Sequence, residues 1–299
     1  MRQLLTGMLI LAAVGGIAPA EVEAAKFKHL QTLYADGGGI ALKMPEGVAC
    51  DGKTLAVADT GNSRIVLFSL SDQAVVAKNV LPLEGNSPII VRMNSRGDLY
   101  VLNGKDRTVA KLGADGKTTG ALKPKGLPGA QNFVPRSFQF DAQDNLYLLD
   151  IFAERVLVLD SAGQFLRQLP FPQGYGAFAD LAISPQGVVY LLDSVAGAIY
   201  AANPGTEVFT LLSKGLKEYT NFPNSLAIDG QGTLYLSDQF GSGLALVGRD
   251  GSFLGRKFGM GWEDGQFYYP AQLCINSQGT LFVADRNNNR IQLFSILDE

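Results

Sequence analysis

Histidine occurs once among 299 residues, at His29, and that scarcity removes two large classes of chemistry. A nucleophilic triad usually needs an imidazole base, and catalytic zinc is usually held by several imidazoles. His29 itself reads as an exposed strand residue. What recurs instead is a carboxylate: Asp59, Asp150, Asp193, Asp238 and Asp285, with Asn103 completing the series. A structural role repeats with a chain, whereas an active site breaks the repeat. Each of these residues is therefore expected to accept backbone N–H bonds from the loop that follows it, not to serve in a ring of catalytic acids. Gly37-Gly38-Gly39 follows a strand and precedes no helix, so it is not a phosphate cradle.

The spacing of those residues shows what positions them. Successive members lie 44, 47, 43, 45 and 47 residues apart, each closing an apolar run such as Leu55-Ala-Val-Ala-Asp59, Leu146-Tyr-Leu-Leu-Asp150 or Leu281-Phe-Val-Ala-Asp285. A period in the forties belongs to propeller blades of four short strands. Each unit parses alike. A first strand such as Pro223–Ile228 enters the turn Asp229-Gly-Gln-Gly232, and a second strand ends at the Asp. A polar loop leads to a third strand, for example Arg155–Leu159, and the turn Asp160-Ser-Ala-Gly163 leads to a fourth, Gln164–Leu169. The last unit stops after its third strand, while Phe27–Tyr34 has the character of a fourth. The expected fold is all-β, a six-bladed β-propeller with four antiparallel strands per blade, in which that N-terminal strand closes the last blade and covers an otherwise open sheet edge. One domain, residues 27–298, is expected.

Three stretches carry a resemblance to a known family: Pro223–Asp229, with its Pro-x-x-apolar-Ala-apolar-Asp pattern, Ala58-Asp-Thr-Gly-Asn-Ser-Arg-Ile65, and Asp264-Gly-Gln-Phe-Tyr-Tyr-Pro270. In these the chain resembles the NHL-repeat propellers over roughly residues 27–298, most closely in blades one, five and six. The resemblance implies the fold; relatives of this kind bind proteins, bind RNA or carry catalytic sites, so it leaves the function open.

Aligning the six first strands places the pairs Glu46/Gly47, Ile89/Ile90, Arg136/Ser137, Ala179/Asp180, Asn224/Ser225 and Ala271/Gln272 at one mouth of the central channel. Glu46, Asp180 and Asn224 offer hard oxygen donors of the kind Ca²⁺ takes. Two of them occupy positions that look like metal ligands of gluconolactonase-type six-bladed propellers, which implies a metal-dependent hydrolase of lactones or sugar esters as the alternative function. Arg136 and Ala179 depart from that pattern. The other reading of the mouth is a polar lining filled with water, and no other cofactor is expected.

Aromatic residues break the repeat on the face that carries the loops after the second and fourth strands. Phe178, Phe222 and Phe267 precede first strands and are expected to wedge between blades. Tyr175, Tyr219, Trp262 and Tyr268, with Phe152, Arg155, Phe240, Arg286 and Arg290 from neighbouring loops, are expected to form a binding patch over blades three to six. Cys50 and Cys274 lie in the first and last units, which ring closure makes neighbours. They either bridge or remain two buried thiols.

The chain holds 25 basic and 28 acidic residues. An acidic balance argues against a nucleic-acid partner, which is held chiefly by neutralising phosphates. Arg2, the apolar run Leu4–Ile17 and Ala18-Pro19-Ala20 read as a signal peptide over residues 1–20, with cleavage as late as 24 as the other position. The run is shorter than a bilayer span requires, and no other stretch is apolar enough for one. The whole predicts an exported monomer, periplasmic or secreted, free of the membrane after cleavage. It would bind a protein or peptide, on its own or within an envelope complex, without catalysing a reaction.

Overall fold

The computed structural model of the chain describes residues 25–71, 74–128 and 132–297. The leader expected before residue 25 lies outside them. Six four-stranded antiparallel sheets succeed one another along the chain. From the axis outward the first blade comprises Gly47–Cys50, Thr54–Asp59, Arg64–Leu70 and Val75–Pro82. The innermost strands of the next five are Pro88–Met93, Pro135–Phe140, Phe178–Ile183, Pro223–Ile228 and Pro270–Ile275. Helix is confined, among the described residues, to three short 3-10 turns.

The sixth blade takes its outermost strand from the other end of the chain. Lys26–Leu33 runs antiparallel to Arg290–Leu297, with Phe27 opposite Ile296 and Leu33 opposite Ile291. Closure by the N-terminal strand is thus realised, and it hides the sheet edge that would otherwise template aggregation.

No apolar core fills the centre. The buried side chains form six clusters, one at each junction between adjacent blades. The second strand of blade one shows how the sequence achieves this. Leu55 and Val57 pack toward blade six, and Ala56 and Ala58 toward blade two. Both faces of such a strand are buried, so it reads as an unbroken apolar run and not as the alternation of a half-exposed sheet. Burying a Leu or Val side chain stabilises by about 1.5–3 kcal/mol, which makes the junctions the main source of stability.

Candidate functional site

The recurring Asp side chains are fully buried. One donor class serves them in every blade: the backbone N–H of the connection entering that blade. Lys43 N donates to Asp59 Oδ1 at 2.7 Å, Val134 N to Asp150 at 2.9 Å, Ala177 N to Asp193 at 3.0 Å, Asn221 N to Asp238 at 2.8 Å and Tyr268 N to Asp285 at 2.8 Å. Asn103 accepts likewise from Ser87 N at 2.9 Å. The structural role holds, but its principal donors are not in the following loop, which supplies N–H bonds to Asn103, Asp150, Asp193 and Asp238 only. Asp59 and Asp285 take Asn62 and Asn288 side chains there instead.

A buried carboxylate also needs a countercharge. Arg64, Arg155 and Arg290 provide it, each five residues after its Asp, at 2.6, 3.1 and 2.7 Å. Arg155 and Arg290, expected on the binding face, are therefore corrected to structural residues, 6% and 2% exposed. Blade five has Gly243 in that place, and Arg256 reaches in from the outermost strand to Asp238. A Cβ on Gly243 would meet that guanidinium and the Lys257 carbonyl oxygen, each at 3.0 Å, so the position is tight for any larger residue.

The channel mouth is built by a β-bulge repeated round the ring. In blades two to five the register shifts after the first residue of the innermost strand, leaving Ile89, Arg136, Ala179 and Asn224 outside the ladder. Blade six leaves out Ala271 and Gln272. A bulge re-aims the extra side chain, here toward the axis. The result is a cavity of about 190 Å³ lined by Glu46, Ile89, Ile90, Arg136, Ala179, Asp180, Asn224, Ser225, Gln239, Ala271 and Gln272. Ten of the twelve aligned residues line this cavity; Gly47 and Ser137 do not, and Gln239 joins them.

Their chemistry does not fit a cation. Asp180 Oδ1 accepts from Ser137 Oγ at 2.5 Å and Leu181 N at 2.9 Å, with Arg92 Nη2 at 3.5 Å. Its Oδ2 accepts from Ser225 Oγ at 2.9 Å and Leu226 N at 3.0 Å. Those donors exhaust the lone pairs of a carboxylate. Glu46 pairs with Arg286 at 3.1 Å, and Asn224 Oδ1 lies 2.7 Å from the Ser237 hydroxyl. The guanidinium of Arg136 adds positive charge where an ion would sit. Asp180 is instead a hub that ties blades two, three, four and five together across the axis, and Gln272 Oε1 links blade six to blade one through Val48 N at 3.0 Å.

On the loop face, Phe222 stacks on Phe240 at 5.2 Å, Phe240 meets Tyr269 at 5.4 Å, Tyr269 meets Tyr268 at 5.3 Å and Tyr268 meets Trp262 at 6.4 Å. This continuous file covers blades five and six, a narrower patch than expected. Tyr219 does not join it: its ring stacks at 3.9 Å on Phe253 of the outermost strand of blade five. Tyr175 packs between Phe171 and Phe178, where burial, with Glu154 beside its hydroxyl, raises its pKa. Phe152 is exposed but stands apart on blade three, and Arg286 is paired with Glu46 of the channel mouth. Phe178 and Phe267 are wedged as expected, while Phe222 is half-buried. Phe222 and Tyr269 both hold left-handed backbone angles, φ 75° and 56°, immediately before prolines. Such angles cost about 1–3 kcal/mol each and persist only where the surroundings enforce them.

Trp262 sits at the tip of this file, 71% exposed, on a loop held from beneath. Arg290 donates to the carbonyls of Trp262, Glu263 and Gln266 at 2.7, 2.8 and 2.9 Å. Asn288 holds Gly261 O at 2.8 Å and Gln292 holds Gln266 O at 2.6 Å, while Gly259–Met260 pairs in parallel with Gln266–Phe267. Arg290→Lys, which keeps the charge and loses the fork, is expected to lower stability by about 2 kcal/mol. Because Trp262 is the single tryptophan, the steady-state anisotropy of its emission should fall in that variant, and an unchanged value would refute the clamp.

Cys50 and Cys274 are paired as a disulfide, Cα atoms 6.1 Å apart, at the other end of the channel. That face also has the larger concavity, about 1080 Å³, among the turns between first and second strands, which the sequence did not single out. Its carboxylates and amides are engaged within their own turns: Asp141, Asp229 and Asn276 each accept from backbone N–H groups two and four residues on. Gln143, Gln186, Gln231 and Ser277 add to its polar lining.

Residues 267–294, three strands of blade six, match the family model described as NHL repeat. No curated protein sequence matches the chain. Among solved structures it is similar to a gluconolactonase from Xanthomonas campestris, with a TM-score of 0.67 at 15% identity over 91% of this chain and 90% of that one. It is also similar to virginiamycin B lyase from Staphylococcus aureus, with a TM-score of 0.61 at 12% identity over 91% and 100%. At such identities the likeness is one of fold. Blade count and closure across the chain ends agree with these likenesses: the chain is a six-bladed β-propeller whose last blade matches the NHL repeat.

Proposed function

We propose that the chain is an exported binding module that recognises a protein or peptide through the aromatic file of blades five and six, without catalysing a reaction. The observation that carries this reading is the investment of Arg290, Asn288 and Gln292 in a loop whose tip offers Trp262 to water. An aromatic anchor held rigid before binding loses little entropy on association, and interface energy concentrates in such anchors. The Cys50–Cys274 pair supports an oxidising compartment, periplasmic or secreted, since disulfides are rare in reducing ones. The propeller folds of the gluconolactonase and the lyase host enzymes, yet a hydrolase centred on Glu46, Asp180 and Asn224 would have to free oxygens that Ser137, Ser225 and Arg286 occupy.

The double variant Trp262→Ala, Phe240→Ala removes rings that are 71% and 48% exposed; because Phe240 also packs on Phe222 and Tyr269, the variant should unfold slightly below the wild-type temperature and remain folded under assay conditions. Recovery of cross-linked partner from a native envelope extract should then drop at least about tenfold, as expected when an anchor worth some 1.4 kcal/mol or more is lost. Equal recovery would remove the loop face from consideration.

A further inference from the structure

The cavity at the channel mouth contains a charge that the fold does not use. Arg136 projects into it from its bulge, and among the described residues its guanidinium has neither a hydrogen bond nor an ion-pair partner. Arg107, on the adjacent loop of blade two, lies near enough for its charge to act on Arg136, and its Nη1 is buried without an acceptor. Burial first, and Arg107 second, push the Arg136 pKa down. Asp180 and Glu46 lie close enough to draw it up. Neither is available as a partner at contact distance, because Asp180 is filled by five donors and Glu46 is paired with Arg286.

We infer that the channel mouth is a binding site for a small carboxylate, held by Arg136 and supported by Arg107, in the place where a gluconolactonase-type site would hold a cation. A guanidinium presents two parallel N–H groups that match the two oxygens of a carboxylate. Ile89, Ile90, Ala179 and Ala271 supply apolar wall for a short hydrocarbon tail, and about 190 Å³ accommodates an anion of a few carbons. Removing water from the pocket on binding strengthens the pair further. This site is independent of the aromatic file, and its ligand need not be the partner bound there.

The test is calorimetric titration of the full chain with sodium butyrate, with sodium phosphate and calcium chloride as comparison arms. Butyrate should bind with Kd of about 1–10 mM, more tightly than phosphate, and calcium should neither bind nor raise the unfolding temperature. Arg136→Met should weaken butyrate at least tenfold while keeping or raising the unfolding temperature, because the charge it removes has no partner in the chain. Trp262→Ala should leave butyrate binding unchanged. The inference is overturned if butyrate gives no saturable heat, if Arg136→Met binds it as well as wild type, or if that variant is destabilised, which would make Arg136 a structural residue. Preference for phosphate overturns the carboxylate assignment, and saturable calcium binding restores the cation reading.

Discussion

Asp180→Asn should lower unfolding stability by about 3–5 kcal/mol, the range for breaking a buried pair and stranding the remaining charge. Arg92 and Asp180 face each other at 3.5 Å with side chains 6% and 3% exposed. Arg92 also donates to Phe138 O at 3.1 Å, and burial lowers its pKa, so its charge tolerates little further loss of compensation. An amide at residue 180 would in addition turn one acceptor oxygen into a donor that faces the Ser225 hydroxyl and Leu226 N–H, or else Ser137 and Leu181 N–H. Urea unfolding of wild type, Asp180→Asn, Arg92→Met and the double variant forms the necessary cycle. The double variant should recover part of the loss, since removing both charges leaves none stranded. A loss below about 1 kcal/mol for Asp180→Asn would mean that the hub is not built as described.

The propeller was legible because its cause is written in every unit. A second strand buried on both faces must be an unbroken apolar run, and the Asp that ends it must recur because every blade needs its entering connection tied down. The channel mouth was legible for the same reason: repeats can be aligned without knowing the local backbone. What sequence could not show was the bulge that frees Arg136 from its ladder, or the left-handed angles at Phe222 and Tyr269 that set the aromatic file. Both are departures from regular strand geometry that no residue type announces. Arg155 and Arg290 were misplaced although a signal existed. Their spacing of five from Asp150 and Asp285 repeats that of Arg64 from Asp59, and a residue that recurs with the blade belongs to the blade. Tyr219 gave no such hint: only the packing of Phe253 decides which way its ring lies.

Reduction of the Cys50–Cys274 bond should lower stability by about 2–4 kcal/mol, seen as a fall in the unfolding temperature when reductant is added to wild type but not to Cys50→Ser, Cys274→Ser. The two cysteines are 224 residues apart, and in the chain-entropy picture so long a loop gives a contribution of about 5 kcal/mol, of which residual structure in the unfolded chain removes a part. The location makes the effect larger than its entropy alone suggests for kinetics. The bond joins the innermost strands of blades one and six, while Lys26–Leu33 joins the same two units at the rim, so the seam of the ring is closed twice. Opening a propeller at its seam exposes the cluster of Leu33, Val48, Phe282 and Leu293 on one side only after both closures fail. The reduced protein should therefore unfold faster as well as at lower temperature, with its folding rate little altered, because seam contacts between distant parts of the chain form late. If reduction instead slowed folding and left unfolding unchanged, the seam would have to form early, and the disulfide would be part of the nucleus on which the remaining blades assemble.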